Sequence, residues 1–241
     1  MTWLNNVLAV PTIGIEIEQN LKFLSDYSTI FAPLIQRVSE RDGAADYGYE
    51  PLKNLSIRSS KGLGYSFTVN NLVVKFNYAL SQQTNAGMLP IFDVHNNNKL
   101  YTDILQEILQ ELQVVIEMVS ESKHTVSVKR IGVVASASLT LDSAPPGISE
   151  LIKHLSSLWK KDLIKSETIL TPLLLDTDSF QERCHHTLKF DFLSNPEAID
   201  VVLDWQKVFK EPVDLVLSSG AISECKDKAL EYFEKVAAGD F

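Results

Sequence analysis

Residues 126 to 141 read Val126-Ser127-Val128-Lys129-Arg130-Ile131-Gly132-Val133-Val134-Ala135-Ser136-Ala137-Ser138-Leu139-Thr140-Leu141. From Ile131 to Leu141 every second residue is apolar (Ile131, Val133, Ala135, Ala137, Leu139, Leu141). The set between them, Arg130, Gly132, Val134, Ser136, Ser138 and Thr140, is small or polar. Successive strand side chains point to opposite faces, so this is a long strand, straight or bent, with one buried and one wetter face. Such strands belong to antiparallel sheets covered on one side, whereas strands of parallel sheets are apolar on both faces. Thr12 to Glu18 repeats the signature, with Ile13, Ile15 and Ile17 opposed to Gly14, Glu16 and Glu18.

Working outward, strands are expected at about 52–60, 64–70 and 72–80. Asn70-Asn71 reads as a hairpin turn, because Asn tolerates positive φ. Further strands are expected at about 167–175, 183–193 and 213–217, and at 199–203, although 197–209 also suits a helix. Leu24, Tyr27, Phe31, Leu34, Ile35 and Val38 keep helical spacing, and Pro33 fits a helix that starts near Thr29. Tyr101 to Val119 carries an apolar stripe over five turns, with Glu107, Gln110, Glu111 and Gln113 on the opposite face and Asp103 with Gln106 resembling a capping box. Ile148 to Trp159 and Ala229 to Val236 are the remaining amphipathic helices. Residues 41–50 and 81–100 read as loops.

The elements follow the order strand, helix, strands, helix, twice. The expected fold class is therefore α+β, an antiparallel sheet with helices on one face and a tandem pseudo-repeat of that unit. The halves are residues 1–122 and 123–241, joined in one globular unit. This element order resembles the tandem saddle of the TATA-binding-protein-like fold, a likeness of fold that implies nothing about DNA. The segments Val10-Pro11-Thr12-Ile13-Gly14-Ile15-Glu16-Ile17, Val128-Lys129-Arg130-Ile131-Gly132-Val133-Val134 and Val201-Val202-Leu203-Asp204 also resemble a sporadically distributed prokaryotic family of conserved proteins of unknown function. That resemblance implies no activity.

Composition acts by exclusion. With 45% hydrophobic residues the 241-residue chain is not disordered. The formal charge is −9, and acids exceed cations in both halves (twelve against eight in residues 1–120, nineteen against fourteen in 121–241). Nucleic-acid binding needs clustered cations that release counterions, so this balance disfavours it. No apolar run approaches the ~20 residues that span a bilayer. Met1-Thr2-Trp3-Leu4-Asn5-Asn6 does not read as a leader sequence and two cysteines suggest no disulfide framework, so no signal peptide and a cytoplasmic protein are expected.

Catalytic signatures are missing: no GxSxG, no GxxxxGK[ST], and Gly62-Leu63-Gly64 is only a tight turn. Glu16 and Glu18, on one strand face, suit solubility better than acid–base chemistry. The most metal-like group is Cys184 and His186, with Asp176 and Asp178 from the preceding loop, but no ligand spacing supports it and no cofactor is expected. The open sheet face is the better candidate. By alternation it collects Lys75, Asn77, Arg130, Arg183, His185, Lys189 and Asp191. Its mixed charge favours a non-enzymatic role, binding a protein partner or a second copy through the face or an edge. The alternative is an enzyme or small-ligand binder with a pocket under the 81–100 and 176–182 loops.

Overall fold

The computed structural model describes residues 2–43, 45–83, 91–95, 99–158, 165–191 and 198–240. In chain order the elements are β1 (Ala9–Ile17), α1 (Leu21–Ser25), α2 (Tyr27–Ile30), α3 (Ala32–Asp42), β2 (Ala45–Glu50), β3 (Asn54–Ser59), β4 (Leu63–Thr68), β5 (Asn71–Phe76), β6 (Ala79–Gln83), β7 (Ile91–His95), α4 (Tyr101–Glu121), β8 (Ser127–Leu139), α5 (Pro146–Ser157), β9 (Lys165–Leu170), β10 (Leu173–Asp176), β11 (Phe180–Asp191), β12 (Ala198–Asp214) and α6 (Ser219–Ala238). Apart from the β6–β7 hairpin, the strands form one antiparallel sheet. Its order is β10-β11-β12-β8-β1-β5-β4-β3-β2, and β9 pairs with the same side of β11 as β10 does.

β1 and β8 lie at the centre, with Ile13 opposite Val133, Gly14 opposite Gly132 and Ile15 opposite Ile131. On one side of this junction β1 is followed by helices and then by β2 to β5, and β5 returns to lie beside β1. On the other, β8 is followed by α5 and then by β9 to β12, and β12 returns beside β8.

Helices cover one face. α4 lies over β1 and β5, α6 over β8 and β12, and α3 over β2 and β3, while α5 packs on α6. Beneath them sit the apolar sets that the alternation predicts, Ile13, Ile15 and Ile17; Leu72, Val74 and Phe76; Ile131, Val133 and Ala135, joined by Leu203 and Trp205 of β12. Phe23, Tyr27, Phe31 and Phe67 stack edge-on in the first half, and the Tyr27 hydroxyl donates to the Thr68 carbonyl at 2.7 Å.

Several local expectations are corrected. Residues 45–50 are strand β2, not loop, because they pair along β3. Within the expected 81–100 loop the chain forms the β6–β7 hairpin; 84–90 and 96–98 lie outside the described residues. The hairpin turn falls at Val69-Asn70, one residue early, with Asn71 already in β5. Near Pro33 the chain makes a short helix, α2, and restarts at Ala32, which places the proline in the first turn of α3. α4 begins after Leu100 with no side-chain cap, so Asp103 and Gln106 form no capping box. Residues 198–214 are one 17-residue strand, which settles the helix alternative and absorbs the strand expected at 213–217. Glu111 is buried, not on the outer face of α4: Arg41 and the Tyr65 hydroxyl close over its carboxylate. Trp159 lies outside the described residues.

Candidate functional site

Among the described residues no helix covers the other face of the sheet, and its side chains are half-buried or exposed throughout the central strands, with the exception of Gln206. Register decides which of them meet. Asp204 on β12 stands opposite His185 of β11 on one side and Val134 of β8 on the other. Gln206 stands opposite Arg183 and Gly132. Arg130 stands opposite Glu16 of β1 and Val208 of β12.

Gln206 is only 2% exposed although it sits on the open face, because two guanidinium groups cover it. Its Oε1 accepts from Arg130 Nη1 and from Arg183 Nε, each at 3.1 Å. Its Nε2 donates to Asp204 Oδ2 at 2.6 Å. The second amino group of Arg130 pairs with Glu16 Oε2 at 3.0 Å. Burial raises the Asp204 carboxyl above its ordinary range, against the pull of Gln206 and of the Arg130, His185 and Arg183 charges. His185 Nδ1 lies 2.8 Å from Thr171 Oγ1. Among the described residues nothing engages His185 Nε2 or the terminal amino groups of Arg183. In both side chains the inner nitrogen, His185 Nδ1 or Arg183 Nε, is the one already anchored. The centre of the face is low: Gly14 and Gly132 pair directly, and a Cβ at Gly132 would come within 3.3 Å of Asp204 Oδ1.

Of the residues the alternation selected, Arg130, Arg183 and His185 converge here. Lys75 and Asn77 do not. They lie roughly 19 Å away, four strand spacings across the ladder from His185, and line a cleft of about 320 Å³ with Arg58, Ser59, Ser60 and Gly62. Lys189 is exposed at the far end of β11, and Asp191 takes the Lys165 ammonium at 2.7 Å. Glu16 and Glu18 separate, because Glu18 lies past the end of β1.

The set Cys184, His186, Asp176 and Asp178 is not brought together. Cys184 and His186 are buried under α6, where the His186 ring meets Tyr232. Asp176 is held on the exposed edge by Lys210 at 2.8 Å and by Gln181, and Asp178 is exposed. No group of three or more metal-ligating side chains converges among the described residues.

Asp204, Gln206 and Thr171 complete the cluster and escape the sequence reading. The signal for Asp204 and Gln206 is the alternation of Ile199, Val201, Leu203 and Trp205 with Asp200, Val202, Asp204 and Gln206, hidden while 197–209 also suits a helix. No helix among the described residues is long and apolar enough to cross a membrane. No protein-family model matches the chain, and no curated protein matches it in sequence.

Proposed function

We propose that the chain is a non-catalytic binding protein that holds an acidic segment of a protein partner on its open sheet face. The observation that carries this is the anchored pair of guanidinium groups. Arg130 and Arg183 are both fixed on the buried Gln206, and the outer amino groups of Arg183 remain available. A pre-positioned arginine fork suits a carboxylate, since little side-chain entropy is left to lose on binding. The neighbouring Glu16 and Asp204 keep the face mixed in charge, which suits a protein better than a polyanion. Two buried free cysteines support a reducing compartment such as the cytoplasm. The matching strand order on either side of the β1–β8 junction supports reading residues 1–122 and 123–241 as two copies of one unit, joined as in a TATA-binding-protein-like saddle.

A fluorescein-labelled decapeptide alternating Glu with Val, titrated by fluorescence anisotropy, tests the face. Arg183→Ala is expected to weaken binding at least about tenfold, the worth of one charged hydrogen-bonded contact. Failure of the peptide to bind the unaltered chain, or equal binding by the variant, refutes the reading. Tighter binding of a labelled single-stranded oligonucleotide refutes it in favour of nucleic acid.

A further inference from the structure

The two edges of the sheet are unlike. β2 reads Ala45-Asp46-Tyr47-Gly48-Tyr49-Glu50, with acids near both ends, and α3 packs against it. Charges and short length are the ordinary defences of an exposed strand edge. The opposite edge reads Lys165-Ser166-Glu167-Thr168-Ile169-Leu170-Thr171-Pro172-Leu173-Leu174-Leu175-Asp176. Its charges sit at the ends, and the middle is apolar and exposed: Ile169 64%, Leu170 39%, Leu173 58%, Leu174 36% and Leu175 42%.

β9 and β10 are one strand in all but name. Leu170 pairs with His186 and Leu173 with Arg183, so a single register runs through Thr171 and Pro172. The Pro172 carbonyl accepts from the Cys184 N–H at 3.1 Å. In an antiparallel ladder the N–H and C=O of one residue point the same way and alternate along the strand. Pro172 therefore turns its missing donor inward, toward β11. The outward groups belong to Lys165, Glu167, Ile169, Thr171 and Leu173, each with an N–H, and no described strand pairs with them. The proline, elsewhere a guard of edges, leaves this outer row intact.

We propose that this edge pairs antiparallel with the same edge of a second copy of the chain, about a two-fold axis at Thr171. Outward residues must oppose outward residues. Centring on Thr171 sets Ile169 against the partner copy's Leu173 twice on the open face, and Leu170 against Pro172 on the helix side, with no like charges opposed. Shifting the centre to Ile169 sets Leu173 against Lys165, and buries charge. The five exposed side chains leave roughly 400 Å² of apolar surface, the size of the largest apolar patch on a typical monomer, which is often functional. Two copies with their flanking backbone reach roughly the 1,000 Å² that a specific contact needs. A two-fold contact closes at the dimer, whereas joining this edge to β2 would grow an open fibre. The pairing also brings two His185–Thr171 contacts together at the axis, so the open faces of both copies run on as one.

Sedimentation velocity tests this on the unaltered chain, which is expected to approach twice 27.0 kDa at micromolar concentrations. Ile169→Lys and Leu173→Glu, both at exposed sites, are each expected to raise the dissociation constant at least tenfold. An equimolar mixture of the two variants is expected to recover the dimer, because the new charges meet at one pair while Leu173 and Ile169 meet at the other. Hydrogen exchange on the unaltered chain gives a readout independent of variant folding: the amides of Ile169, Thr171 and Leu173 gain protection as concentration rises. A monomer throughout, a dimer indifferent to both substitutions, a mixture that does not recover, or concentration-independent exchange at these amides overturns the proposal.

Discussion

His186 makes the stability of this protein depend on pH in a way that a single substitution can remove. The side chain is 6% exposed, and among the described residues its Nε2 has no hydrogen-bond partner. Cys184 lies beside it on the covered face of β11, and Tyr232 of α6 packs against the ring at 5.5 Å. Burial, and then the charge of His185, lower its titration from 6.5 to about 4. The unfolded chain therefore takes up a proton near pH 6.5, while the folded chain stays neutral until about pH 4. Across that window the unfolded state binds more protons. Stability is fully present above pH 6.5 and is lost as pH falls toward 4. The gap is worth about 3 kcal/mol in full and about 2 kcal/mol at pH 5.

Urea unfolding at pH 7 and pH 5, followed by circular dichroism, measures this. His186→Leu keeps the apolar contacts and discards the unsatisfied nitrogen, so at pH 7 the variant is expected within about 1 kcal/mol of the parent or above it. Between pH 7 and pH 5 the parent is expected to lose about 2 kcal/mol more than the variant. Carboxylates that titrate in the same range are common to both proteins and cancel. Equal losses would refute the assignment of a buried neutral imidazole.

Other perturbations test the packing. Gly147 of α5 meets the end of α6 so closely that a Cβ there would stand 2.2 Å from the Val236 carbonyl and 2.4 Å from the Gly239 nitrogen. Gly147→Ala is expected to cost about 1–3 kcal/mol by overpacking and to lower Tm in calorimetry by several degrees. Tyr65→Phe removes the hydroxyl that donates to Glu111 Oε2 at 2.7 Å, and is expected to cost about 2 kcal/mol in urea unfolding because a buried carboxylate loses a donor. Asp204 titrates above its ordinary range through burial, so its ionised form opposes folding at neutral pH. Asp204→Asn is expected to raise Tm at pH 7, and the gain to shrink as pH falls and the parent carboxyl takes up its proton.

The covered face of the sheet was legible because a strand exposes its two faces with period two. Ile13, Ile15 and Ile17, and Ile131 to Leu139, could be sorted before any contact was known, and the helix α4 announced itself by its apolar stripe. Legibility failed where a partner, not the local pattern, made the element. In Ala45 to Glu50 the alternation of Ala45, Tyr47 and Tyr49 with Asp46, Gly48 and Glu50 is short and broken by a glycine, and β3 beside it makes it a strand. Glu111 sits on a polar stretch of its helix and is buried because Arg41 and Tyr65 arrive from other elements.

The same division holds for the site. Sequence by itself determined which side chains share a face within each strand it identified, Arg130 on β8 and Arg183 and His185 on β11 among them, since alternation is a property of one strand. It also determined the charge of −9 that weighs against a polyanion. Only the tertiary structure decided which of those side chains meet, because register sets neighbours across strands and register depends on packing. Arg130, Arg183 and His185 gather around Gln206 and Asp204, while Lys75 sits four strands away. The outer edge followed the same rule. Its leucines are plain in the sequence, but the direction of Pro172, inward and harmless to the outer row of donors, follows from one hydrogen bond to Cys184.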